Sequence, residues 1–75
     1  MTITNQTRDL GNGQKAVLNL HNGDGVIDFY NDGKVAARVM VRSSVPTSIS
    51  GTMAQDPNVD YSAAASNLLG DYLTQ

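Results

Sequence analysis

Few side chains in this 75-residue chain can do acid–base or metal chemistry. His21 is the one histidine, and cysteine is absent. Structural zinc wants four nitrogen or sulfur ligands, so a zinc site is not expected. His21 stands beside the turn dipeptide Asn22-Gly23, at the end of an alternating run and on its polar side. It reads as a surface turn histidine rather than a general base. Serines and aspartates are plentiful around it, but none has a setting such as a nucleophile elbow. Asn22, Asp24, Asp28 and Asp32 invite comparison with a calcium loop. An EF-hand needs oxygen ligands at alternate positions, then glycine, then a bidentate acid at the twelfth. Counted from Asn22, those later places hold Val26, Ile27 and Gly33, and the pattern fails. Gly11, Gly13, Gly23 and Gly25 do not form a phosphate loop, because no GxxxxGK[ST] occurs and no glycine turn leads from a strand into a helix. The sequence therefore predicts a non-enzyme with no catalytic residue, no metal, no cofactor and no small-molecule substrate.

Charge supplies one candidate contact face. Arg38 and Arg42, with Met40 between them, fall on one side of an alternating run, and Lys34 and Lys15 stand at hairpin ends. Spaced arginines on a sheet can hold nucleic-acid phosphates. The net charge of −2 weighs against a polyanion-binding module, which carries a basic excess. A solvated outer face, with Asp28 near Arg38, is the favoured reading, so nucleic-acid contact is not favoured. No apolar run approaches the ~20 residues of a membrane span. The opening Met1-Thr2-Ile3-Thr4-Asn5 lacks the basic and apolar regions of a signal peptide. That predicts a chain made and assembled in a cytoplasm, without a membrane partner.

These residues must be positioned by a small scaffold. Asn12-Gly13, Asn22-Gly23, Asp24-Gly25 and Asp32-Gly33 are turn dipeptides that tolerate positive φ, recurring about every ten residues between alternating segments. This is the pattern of an antiparallel meander, expected as strands Ala16–His21, Val26–Tyr30 and Val35–Arg42. Leu18, Leu20, Ile27, Phe29, Val39 and Val41 are expected on one buried face. Matching apolar faces to turn lengths suggests Leu20 opposite Ile27 and Leu18 opposite Phe29, around the loop Asn22-Gly23-Asp24-Gly25. It likewise suggests Phe29 opposite Val35 and Ile27 opposite Ala37, around Asn31-Asp32-Gly33. Val17 and Tyr30 then pair on the outer face as an apolar spot.

The composition divides a single expected domain into residues 1–15 as an arm or edge strand, 16–42 as the meander, 43–59 as an extended connection and 60–75 as a helix. Asp60 is a good N-cap. Tyr61, Ala65, Leu68 and Tyr72 follow at helical spacing, flanked by Leu69 and Leu73. The fold class is thus α+β: a meander of three to four strands with one C-terminal helix, packed on its own sheet or on a neighbouring subunit. Leu68, Leu69, Tyr72 and Leu73 join Val17 and Tyr30 as candidate subunit contacts. A chain this short buries a limited core, and without disulfides or metal the compensation left to it is self-association.

The meander strands, the last strand Val39-Met40-Val41-Arg42, the Ser/Pro/Thr-rich exit and the closing Leu/Tyr helix together resemble small bacteriophage virion proteins. The coat proteins of single-stranded RNA phages share this layout over roughly Val26 to Leu73, although they are longer and usually carry two helices. Capsid decoration proteins of tailed phages share its size and charge. The resemblance implies a virion structural subunit, capsid or decoration, acting by homo-oligomeric assembly with itself and other virion proteins. The alternative is a small phage-encoded inhibitor or binding module acting on a host protein. A nucleic-acid mimic of that kind would be far more acidic than −2.

Overall fold

The fold is taken from a computed structural model, which describes residues 3–73 and the side chains of 5–72. Five strands run in chain order, β1 (Ile3–Gly11), β2 (Gln14–His21), β3 (Asp24–Asn31), β4 (Lys34–Arg42) and β5 (Val45–Gly51), followed by helix α1 (Tyr61–Leu73). They form one antiparallel sheet ordered β1-β2-β3-β4-β5, so the class is α+β. The sheet has two strands more than the three expected with defined limits. Residues 1–15 supply β1, a full edge strand over its described part, and the segment read as an extended connection supplies β5.

Turn chemistry dictates the register. Asn12-Gly13, Asn22-Gly23, Asp32-Gly33 and Ser43-Ser44 all have positive φ at both central residues, as two-residue type I′ hairpin turns require. The twist of such turns matches that of the strands they join, which is why they win over the longer loops suggested by the sequence. Leu18 accordingly faces Ile27 and Ala16 faces Phe29. Across the next hairpin Ile27 faces Val39 and Phe29 faces Ala37. Both hairpins are thus two residues away from the expected pairing. A slip of two preserves the faces, so the six expected core residues are all buried together. The tight Asp32-Gly33 turn alone would have set Phe29 opposite Ala36 and reversed the faces beyond it. A bulge between Phe29 and Tyr30 on one side and Val35 and Ala37 on the other inserts Ala36 and restores them.

Neighbouring turns at each end of the sheet are joined. Asp32 N–H donates to the Gly13 carbonyl at 2.9 Å, and Ser44 N–H donates to the Gly23 carbonyl at 2.7 Å. Gly13 has a φ of 79°, the left-handed region that favours glycine.

On the other side of the chain's core, Asp60 caps α1 by accepting the Ala63 N–H at 3.1 Å, as its side-chain type suggests. Tyr61, Ala65, Leu68 and Leu69 belong to the same buried cluster as the sheet residues. The Tyr61 ring meets Phe29 edge-on, with centroids 5.3 Å apart. Its hydroxyl accepts from Asp56 N–H at 2.8 Å and donates to Oε1 of the buried Gln14 at 3.4 Å. Gln14 in turn donates to Asn31 Oδ1 at 2.8 Å, and Asn31 Nδ2 donates to the Ala54 carbonyl at 3.0 Å. This chain of bonds satisfies the polar groups that cap the core, and it fastens the segment between β5 and α1 to the sheet.

Candidate functional site

Of the residues foreseen as a basic face, Arg38 has its charge engaged by an acid. Arg38 lies opposite Asp28, as alternation in β3 and β4 requires, and its Nε donates to Asp28 Oδ1 at 2.7 Å while Nη2 reaches Oδ2 at 3.4 Å. The hydrogen bond that Arg38 donates to Asp28, and then the negative charge of Asp28, hold the Arg38 guanidinium above its ordinary range. Asp28 is nearly covered, with its side chain 10% exposed, whereas that of Arg38 is 58% exposed. Met40, Arg42 and Lys34 are exposed, Met40 and Arg42 on this same outer face and Lys34 at the start of β4. Asp9 lies opposite Lys15, and Asp24 opposite His21. Acids therefore alternate with bases over the outer face, and they leave no continuous basic stripe for a phosphate backbone to follow.

The other foreseen residues divide. Val17 and Tyr30 are half-buried on the outer face, but they do not pair: Val17 faces Asp28 and Tyr30 faces Lys15, a consequence of the two-residue change in register. Leu68 and Leu69 are buried within the chain's own core, and Tyr72 packs against it in part. The side chain of Leu73 lies outside the described residues. His21 is exposed at the turn. Among the described residues, no group of three or more His, Cys, Asp or Glu side chains converges, and no helix is long and apolar enough to cross a membrane.

The helix side of the sheet offers a different surface. Five strands about 4.8 Å apart make a sheet roughly 20 Å wide, and a helix with side chains is only about 10 Å across. A single helix therefore leaves a groove along each flank. Beside β1 the groove of about 440 Å³ carries Leu10 and Val59 but also Asp56 and Asp71. Beside β5 a groove of about 470 Å³ is lined by Val39, Val45, Pro46 and Ile49, with Ser62 and Ser66 of α1 opposite. No charged residue lines this second groove, and none occurs anywhere from Ser43 to Gln55.

Large apolar side chains stand exposed along that uncharged stretch. Val45 is 57% exposed, Ile49 is 44% exposed and Met53 is fully exposed. Met53 sits on an ordered turn: Thr52 Oγ1 donates to the Val35 carbonyl at 2.6 Å and accepts the Ala54 N–H at 3.1 Å. The sequence reading missed this surface because it took the serines, threonine and proline for a polar connector. A signal was present. Ser43-Ser44 falls where the ten-residue turn spacing puts the next hairpin, and Val45, Pro46 and Ile49 then supply apolar residues before Gly51, although a bulge at Thr47 sets Val45 beside Arg42 and Ile49 beside Val39, on opposite faces. Compared with protein-family models, curated proteins and solved structures, the chain matches none.

Proposed function

We propose that this chain is a non-enzymatic structural subunit of a virion, a capsid or capsid-decoration component that works by assembling with copies of itself. The observation that carries the reading is the run of exposed apolar side chains Val45, Ile49 and Met53 within a stretch free of charge. Edge strands of proteins that stay apart are usually defended by charge, lysine above all. β1 has Arg8 and Asp9, whereas β5 has only Pro46 and the irregularity at Thr47 to interrupt it. An undefended apolar edge suits a molecule whose working state covers it. The small core agrees, because a chain of this length gains stability from a neighbour. The likeness of its strand and helix pattern to small bacteriophage virion proteins gives the assembly its proposed setting.

Two measurements test the reading. Sedimentation across micromolar concentrations should show a species larger than the 8.0 kDa chain. The chain should also be a stoichiometric component of purified particles. A single 8.0 kDa species that is absent from particles would defeat the proposal and favour a monomeric module acting on a host protein.

A further inference from the structure

The groove of about 440 Å³ between α1 and the second half of β1 owes its existence to where the helix sits. α1 packs chiefly over β4 and β5, so the helix-facing side of β1 is left uncovered. Leu10, Val59, Ala64 and Leu68 give the groove an apolar lining, and Leu10 stands 41% exposed. Charge supplies the rest of its chemistry. After Arg42 the sequence has no lysine or arginine, and its charges are Asp56, Asp60 and Asp71. Asp56 and Asp71 both line the groove. Arg8 meets Asp71 at 3.8 Å. Asp56 accepts the Asn58 N–H at 2.9 Å and has no ion pair among the described residues. An apolar lining beside such a carboxylate is complementary to a cation carried on an aliphatic stem. We propose that this groove receives a lysine side chain of another protein, with its methylenes against Leu10, Val59 and Leu68 and its ammonium at Asp56. The proposal stands apart from the self-assembly above, because the groove lies on the opposite flank of the helix from β5.

Three features select this occupant. Small-molecule sites enclose most of their ligand, whereas this groove is open along the flank of α1, as suits a side chain delivered by a larger body. Asn12, Asn58 and Asn67 are exposed along it, and each carboxamide offers both a donor and an acceptor. Such pairs match the N–H and C=O groups of a peptide on either side of the inserted residue. One oxygen of Asp56 is already engaged by Asn58, which suits the point charge of lysine better than the two-pronged fork of arginine. A second copy of this chain is a poorer match, because its Lys15 and Arg38 stand opposite Asp9 and Asp28.

An amide NMR titration of the intact chain tests the assignment, with acetyl-Ala-Lys-Ala-amide as the probe. The amides of Leu10, Asn12, Asn58 and Asn67 should shift, and that of Asn19 on the outer face should not. The same peptide with norleucine keeps the stem without the charge, and with diaminopropionic acid it keeps the charge on a short stem. The lysine peptide should bind about fivefold more tightly than the norleucine one, the worth of one partly exposed ion pair, and more tightly than the short-stemmed one as well. Asp56→Asn keeps an acceptor for the Asn58 N–H. It should retain the unfolding midpoint and erase the advantage of lysine over norleucine. Equal binding of the lysine and norleucine peptides by the parent, or shifts centred on Asn19, overturns the proposal. So does an advantage of lysine that survives Asp56→Asn. Saturation of the groove by free n-butylammonium where the lysine peptide leaves it unshifted overturns the choice of a protein partner.

Discussion

Ser43 and Ser44 adopt φ of 51° and 63°, the left-handed region that costs an L-residue roughly 1–2 kcal/mol. The other three two-residue hairpin turns put glycine at the second central position; this one puts serine. Nothing in the contacts of Ser44 requires its side chain, since it bonds through its backbone N–H to the Gly23 carbonyl. Ser44→Gly should therefore stabilise the fold by about 0.5–1 kcal/mol, the relief of strain being partly offset by the greater freedom of glycine in the unfolded chain. Urea unfolding with an unchanged slope is the measurement, and a destabilised variant would show that the serine side chain is needed. Gly25 makes the opposite case. Its φ is 150°, and a Cβ there would press on the Asn19 carbonyl, a backbone group that cannot move aside. Gly25→Ala should cost more than about 1 kcal/mol and lower the midpoint accordingly. Arg38 illustrates the pH argument. Its proton is held more tightly in the folded state, so its contribution is complete below the ordinary arginine range and is lost only as pH rises through the raised folded value. The difference in stability between the parent and Arg38→Met should be the same at about pH 7 and about pH 9, compared by denaturant midpoints.

Among the elements, α1 holds both a weakness and a necessity. Gly70 sits inside the helix with open space where a side chain would go. Gly70→Ala should raise stability by about 0.8–1 kcal/mol, read from thermal or urea unfolding; no gain would mean that this turn of the helix is already frayed. Leu69 is 2% exposed against the sheet, and Leu69→Ala should cost roughly 2–5 kcal/mol. These expectations could be drawn from sequence because the helix shows both its cap and its spacing there, from Asp60 through Tyr61, Ala65 and Leu68. The core face of the meander was legible for a similar reason: alternation fixes which side Leu18, Ile27, Phe29 and Val39 take. The pairing was not. A slip of two residues changes no face, so hydrophobic pattern cannot detect it, and the bulge at Ala36 is invisible where two adjacent alanines suit either side. β5 was hidden because an edge strand with little burial carries little apolar signal, its residues being almost all exposed. The candidate surface lay in that same stretch and was lost with it. Arg38 and Asp28 were legible because their positions on neighbouring strands share a face under either pairing.

At the scale of the whole molecule, the two large surfaces make opposite demands on solvent. The outer face interleaves Lys15, Arg38 and Arg42 with Asp9, Asp24 and Asp28. The β5 flank carries no charge from Ser43 to Gln55. Ionic strength separates them, because salt screens charge contacts over a distance of about 10 Å at 0.1 M and about 3 Å at 1 M, while apolar burial is indifferent to that screening. If the β5 flank carries self-association, its dissociation constant should change by less than about threefold between roughly 0.05 M and 0.5 M sodium chloride. A contact made through the outer face, or through nucleic acid bridging Arg38 and Arg42, should instead weaken by orders of magnitude over the same range. Ile49→Asp sharpens the comparison. It puts a carboxylate into the uncharged β5 flank, and loss of a well-placed apolar contact there is worth about 2 kcal/mol or more, a loss of about 30-fold in affinity. That variant should dissociate at low salt and stay weakened at high salt, because screening does not restore the lost apolar contact. Sedimentation equilibrium at three salt concentrations reads both effects together. Strong salt dependence in the parent, with Ile49→Asp associating as well as the parent does, would move the interface from β5 to the charged face.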